Sequence, residues 1–123
     1  MVRALSVLIV DDHEAMRALL RKVLERAGVG DVRDAESGAA GLALLAERGA
    51  DLILVDQSMP EMDGVTFVQH ARTAASAARI LMITGRGDAR TSDAARSAGA
   101  DAVLVKPVAP SDLVAAIEKL FAT

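Results

Sequence analysis

The chain has 123 residues, 52% of them hydrophobic and 25% charged, with a net charge of -3. That composition suits one folded domain and excludes a disordered chain or a polycation built for nucleic acid. Cysteine, tryptophan and tyrosine are absent, which rules out a disulfide framework, a thiolate metal site and an aromatic base-stacking platform.

The first apolar run, Leu5–Val10, follows Arg3 and mimics the start of a signal peptide. It is cut short by Asp11 and Asp12, and no small-residue cleavage site follows. Four more runs come later: Val32–Ala35, Leu52–Val55, Ile80–Ile83 and Val103–Val105. They are short, Leu-rich or β-branched, and nearly continuous, which suits parallel strands buried on both faces. Arg33 and Asp34 interrupt the second run, so it is expected at a sheet edge. No run approaches membrane-spanning length, and a soluble, cytoplasmic protein is expected.

Helical periodicity fills the gaps. Met16, Leu19, Leu20, Val23, Leu24 and Ala27 form one apolar stripe, with Arg17, Arg21, Lys22, Glu25 and Arg26 opposite. Gly28 suits the end of this helix. A second helix is predicted from an N-cap at Ser37 to about Arg48. A third follows an N-cap at Asp63 and turns Val65, Val68 and Ala71 inward. A fourth covers Ala89–Ala98 and stops at Gly99. A fifth starts at Pro110, with Leu113, Ile117 and Leu120 inward. Five strand–helix repeats predict an α/β fold: a doubly wound, five-stranded parallel sheet with helices on both faces.

In such sheets ligands bind beyond the carboxyl ends of the strands. The residues found there are Asp11 and Asp12 after the first run, Asp56 after the third, Thr84 after the fourth and Lys106 after the fifth. Three carboxylates brought together repel one another unless a cation joins them. A hard dication such as Mg²⁺, which prefers oxygen ligands, resolves the conflict. Lys106 adds a fixed positive charge and Thr84 a hydroxyl. These are the parts that hold a phosphoryl group, and one carboxylate can act as the nucleophile. Read singly, each residue has a plainer explanation: aspartates cap helices, and lysines sit on surfaces. All five at strand ends favour the functional reading.

The stretches "VDDHEAMR", "LVDQSMPEMDG", "MITG" and "VLVKP" together resemble the receiver domains of two-component response regulators, over nearly the whole chain. The resemblance implies the flavodoxin-like, CheY-like strand order 2-1-3-4-5, which is carried over from the family. Residues 1–123 would form one stand-alone receiver with no output domain. Asp56 would be the phosphoacceptor, receiving a phosphoryl group from a histidine kinase or a histidine phosphotransfer protein. Asp12 would bind Mg²⁺ directly, Asp11 through water, and the Ser58 backbone carbonyl would be a further ligand. Lys106 would pair with the phosphoryl oxygens, and Thr84 would swing toward them. The Lys106–Pro107 bond would be cis. The chain would be a switch that assists its own phosphorylation and dephosphorylation, not a turnover enzyme. Its output would be contact with a downstream protein target, with no direct DNA binding and no membrane insertion.

Several positions depart from the family pattern. An aromatic switch is usual three residues before the lysine, where this chain has Val103, and Val108 replaces a frequent Phe. Output must then travel through backbone and loop shifts. Ser58 and Arg86 occupy loop positions that in the family border the attacking water, and they are expected to tune the lifetime of the phosphate. His13 and His70 are read as solvated helix residues, Met16, Met59, Met62 and Met82 as core filler, and the arginines around the fourth helix as a solvated face. An aspartate-nucleophile phosphatase wants a second acid where Ser58 stands. A flavodoxin-type cofactor binder would not place Asp11 and Asp12 against a phosphate. A pseudo-receiver that binds partners without phosphorylation is the remaining alternative, kept open by Val103.

Overall fold

A computed structural model describes residues 4–74, 77–85 and 87–122. Five strands alternate with five helices: β1 (Ser6–Val10), α1 (Glu14–Arg26), β2 (Asp31–Ala35), α2 (Gly38–Glu47), β3 (Leu52–Asp56), α3 (Gly64–Ala74), β4 (Arg79–Thr84), α4 (Ala89–Ala98), β5 (Ala102–Val105) and α5 (Pro110–Leu120). All strand pairs are parallel. The order is β2-β1-β3-β4-β5, as the resemblance implied.

The near-continuous apolar runs are explained by two cores, one on each face of the sheet. Val7, Ile9, Leu54, Leu81 and Ile83 point to one side, where Leu20, Val23 and Leu24 of α1 and Leu113 and Ile117 of α5 cover them. Leu8, Val10, Ile53, Val55, Ile80 and Met82 point to the other, under Leu45 of α2, Phe67, Val68 and Ala71 of α3, and Ala95 of α4. Alternate residues of a strand face opposite ways, so a strand covered on both sides must be apolar throughout. β2 and β5 are the edges and are only half-buried. Val105 leaves 47% of its surface exposed at the β5 edge.

The helix ends follow the sequence signals. Ser37 Oγ accepts a hydrogen bond from the Ala40 amide, and Asp63 Oδ1 accepts one from the Thr66 amide. Gly28 and Gly99 take positive φ angles of 98° and 120° where α1 and α4 end, a conformation that favours glycine. The C-cap of α1 itself is Ala27, one residue before Gly28. Lys106–Pro107 is cis.

One core expectation fails. Leu19 is 48% exposed. The inward stripe of α1 is narrower than the periodicity suggested, and Leu19 rides its shoulder beside Pro110 and Val114 of α5. The methionines do serve the core: Met59 and Met82 are buried, and Met16 and Met62 pack against it. Val103 packs half-buried against the α2–α3–α4 core. Among the described residues, no helix is long and apolar enough to cross a membrane.

Candidate functional site

The parallel register sets the carboxyl ends of the strands along one rim. Asp56 is the last residue of β3 and pairs with Ile83, so Thr84 lies one residue further along β4. Thr84 in turn pairs with Val105, and Lys106 follows immediately. The Lys106 amide donates to the Thr84 carbonyl at 2.7 Å. On the other side, β1 lies beside β3, so Asp11 and Asp12 emerge next to Asp56.

The acids occupy different depths. Asp11 and Asp56 are only 2% and 3% exposed, and Thr84 is fully buried. Asp12 is half-buried. Lys106 Nζ reaches Asp56 Oδ1 at 3.2 Å. Asp56 Oδ2 and Asp12 Oδ1 are shut away from solvent with no hydrogen-bond partner among the described residues. Buried carboxylate oxygens without partners are costly, and here two of them face the same small space. Burial first, and then the charge of Asp11, push the Asp56 carboxyl up from its usual range. The hydrogen bond and charge of Lys106, and the backbone of Ser58, pull it back down.

Local chain geometry supports the cluster. The His13 amide donates to Asp11 Oδ1 at 2.8 Å, a tight turn that bends the chain into α1. Arg17, one turn into α1, donates from Nη1 to the Asp11 carbonyl at 2.8 Å and lies 3.8 Å from Asp34. On the β3 side, Gly64 opens α3 directly against the backbone of Asp56. A Cβ there would lie 2.7 Å from the Asp56 carbonyl oxygen and 2.8 Å from Gln57 Cα. Only glycine lets α3 start so close to the acid.

The expected residues Asp11, Asp12, Asp56 and Lys106 come together, with Thr84 beside them on the rim. Ser58 follows Asp56 by two residues with its side chain exposed. Val103 is packed away in the half-buried layer of β5. Arg86 lies outside the described residues. His70 is exposed on α3 and Arg90 and Arg96 are exposed on α4, as expected. His13 is different. Its ring is 63% exposed, yet Nδ1 sits 3.2 Å from Asp11 Oδ1, 3.1 Å from Asp12 Oδ1 and 4.0 Å from Asp56 Oδ2. The expectation of a solvated residue holds for most of the His13 ring, while Nδ1 turns to the acids. Its place directly after two carboxylates was the available signal, and only the turn at Asp11 decides that the ring folds back over them. Asp11, Asp12, His13 and Asp56 each offer one ligand atom, all within 4.8 Å of one another.

Comparison with known proteins agrees with this geometry. Residues 7–118 match the family model described as "Response regulator receiver domain". The chain is 35% identical over 119 residues to the probable chemotaxis protein CheY of Rhizobium etli, covering 95% of this chain and 92% of that protein. It is 35% identical over 113 residues to the chemotaxis protein CheY of Bacillus subtilis, covering 92% and 94%. Among solved structures, the chemotaxis regulator CheY4 of Vibrio cholerae superposes with a TM-score of 0.89 at 30% identity, over 94% of this chain and 98% of that one.

Proposed function

Because this chain belongs to the response regulator receiver domain family, we propose that it is a phosphorylation-controlled switch whose phosphoacceptor is Asp56. The observation that carries this reading is the Asp56 carboxylate: buried, held by Lys106 on Oδ1, and without a hydrogen-bond partner on Oδ2 among the described residues, beside two further acids. A phosphohistidine on a kinase or phosphotransfer protein is the donor. One Asp56 oxygen attacks phosphorus as the P–N bond breaks. The bonding pair returns to the donor imidazole, which takes up a proton, and an acyl phosphate remains on Asp56.

The residues divide the work. Lys106 leaves its ion pair with Asp56 and follows the negative charge onto the phosphoryl oxygens. Thr84 offers its hydroxyl from the neighbouring strand end. Its backbone link to Lys106 ties the two responses together. Asp12 and Asp56, with Asp11 through water and the Ser58 carbonyl, would hold Mg²⁺. The unpartnered buried oxygens of Asp12 and Asp56 fit that ion. When bound, Mg²⁺ supplies charge neutralisation for the phosphoryl oxygens. Ser58 and Arg86 set how long the acyl phosphate lasts. With Val103 in place of an aromatic switch, output passes through loop and backbone shifts to a protein target. The domain acts without catalytic turnover of an external substrate.

Intact mass after incubation with a small-molecule phosphodonor tests this. A gain of one phosphoryl group that requires Mg²⁺ and disappears in Asp56→Asn is expected. Absence of that gain, together with no beryllofluoride-induced NMR shifts around Asp56 and Thr84, would leave the pseudo-receiver reading standing instead.

A further inference from the structure

His13 stands at the N-cap of α1 but makes no side-chain capping hydrogen bond. Its imidazole is therefore not committed to the helix. It leans over the acids instead, with Nδ1 at 3.2, 3.1 and 4.0 Å from one oxygen each of Asp11, Asp12 and Asp56. These spacings have a simple geometric meaning. An octahedral ion with bonds of about 2.1 Å has neighbouring donors about 3.0 Å apart and opposite donors about 4.2 Å apart. Nδ1 thus lies within the spacing that donors sharing one ion have, and the donor atoms of Asp11, Asp12, His13 and Asp56 all lie within 4.8 Å of one another. Two of those oxygens, Asp12 Oδ1 and Asp56 Oδ2, are the buried ones without a hydrogen-bond partner among the described residues. The Asp56 side chain is only 2% exposed.

The donor set has a chemical consequence. Oxygen ligands alone suit Mg²⁺, which dehydrates reluctantly and gains little from nitrogen. An imidazole nitrogen favours the later first-row dications, in the order Mn²⁺ < Co²⁺ < Ni²⁺. Because the ring is mostly exposed, its Nε2–H can face water while Nδ1 turns its lone pair inward. We propose that His13 joins Asp12 and Asp56, with Asp11 acting through water, in a mixed nitrogen–oxygen site, in which His13 Nδ1 is the ligand that favours late first-row dications such as Ni²⁺ and Zn²⁺ over Mg²⁺. This rests on the reading of the acidic cluster as the dication site, and adds to it which metals the site selects.

Carboxylates by themselves bind Ni²⁺ more tightly than Mg²⁺, so the test is the His13-dependent part of that preference. The full chain is used in a His70→Asn background, which leaves His13 as the only imidazole, since the chain has two histidines. Calorimetric titrations with Mg²⁺ and with Ni²⁺ compare His13 with His13→Ala. The variant is expected to bind Ni²⁺ at least about tenfold more weakly, the scale on which a ligand-shell change acts, while Mg²⁺ affinity stays nearly constant. In the Zn²⁺-loaded parent, the ¹⁵N shift of His13 Nδ1 is expected to move to that of a metal-bound nitrogen. Unchanged Ni²⁺ affinity in the variant overturns the proposal. So does a parallel loss of Mg²⁺ and Ni²⁺, which would make His13 a positioning group for the aspartates. Failure of the parent to bind either ion would overturn the dication reading itself, and this inference with it.

Discussion

Gly64→Ala tests whether the start of α3 and the acceptor carboxylate form one rigid unit. An added Cβ would lie 2.7 Å from the Asp56 carbonyl oxygen, 2.8 Å from Gln57 Cα and 2.9 Å from Gln57 Oε1, against ordinary contact from 3.4 Å. Two of these neighbours are backbone, so no side chain can swing aside to make room. Relief needs a shift of 3.4 - 2.7 = 0.7 Å, shared between α3 and the end of β3. The Gly64 amide also donates to the Gln57 carbonyl at 2.9 Å, which couples the two segments further. Overpacking of this kind costs about 1–3 kcal/mol. At a urea slope of about 2 kcal/mol/M the midpoint falls by roughly 1 M. A displacement approaching 1 Å at a reacting group slows its chemistry by about 10–100-fold, read as phosphoryl gain with time by intact mass.

Two controls separate the effects. Gly30→Ala, where an added Cβ meets nothing within 4 Å, should leave midpoint and rate alone. Gly41→Ala puts a Cβ 2.9 Å from Val10 Cγ2 and 3.1 Å from Phe67 Cε1. It should lower the midpoint without a matching loss of rate. A Gly64→Ala protein with a lowered midpoint but a wild-type rate would refute the reasoning, because α3 would then have absorbed the whole shift.

Other expectations follow from the same geometry. Asp56 carries a raised carboxyl, from burial and from Asp11, so the folded state holds its proton more readily than the unfolded chain does. Its ionised form therefore costs stability above the folded pKa, and that cost disappears as pH falls through it. Asp56→Asn should stabilise the metal-free protein at pH 7, and the advantage should shrink toward about pH 4. Urea midpoints of both proteins at the two pH values check this, and a variant less stable at pH 7 would contradict it. Arg17→Ala removes a charged hydrogen bond to the Asp11 carbonyl at 2.8 Å. It should cost about 1.5–3 kcal/mol and weaken Mg²⁺ binding in calorimetry, since the Asp11–Asp12 turn loses its latch. Arg72 ties α3 to the far end of the sheet, donating to the carbonyls of Ala78 and Gly99 and pairing with Asp101 at 2.7 Å. Arg72→Ala should lower the urea midpoint by a comparable free energy and leave phosphoryl gain unchanged, because the residue lies away from the rim.

The strands at the heart of the sheet were legible in the sequence because burial on both faces leaves its own mark. The runs Val7–Val10, Leu52–Val55 and Ile80–Ile83 within or along β1, β3 and β4 are apolar at every position, and the first polar residue after each is a site residue: Asp11, Asp56 and Thr84. Lys106 was legible for the same reason, as the charge that stops β5. Asp63 and Ser37 announced helix starts through the local chemistry of capping. All of these signals act within a few residues, which is the range over which periodicity and caps operate.

Only the tertiary structure decided what depends on contacts between distant segments or on a single turn. Leu19 fits the helical stripe of α1, but its exposure depends on how far α5 reaches around that helix. Asp56 meets Lys106, fifty positions away, because parallel pairing aligns the ends of β3, β4 and β5. The need for glycine at position 64 is invisible until α3 is seen against the carbonyl of Asp56. His13 shows the limit most clearly. Helical periodicity places it at the solvated start of α1, and that placement is right for most of its ring. Whether Nδ1 faces water or three carboxylates is settled by the turn that His13 makes with Asp11, and by β1 and β3 lying side by side.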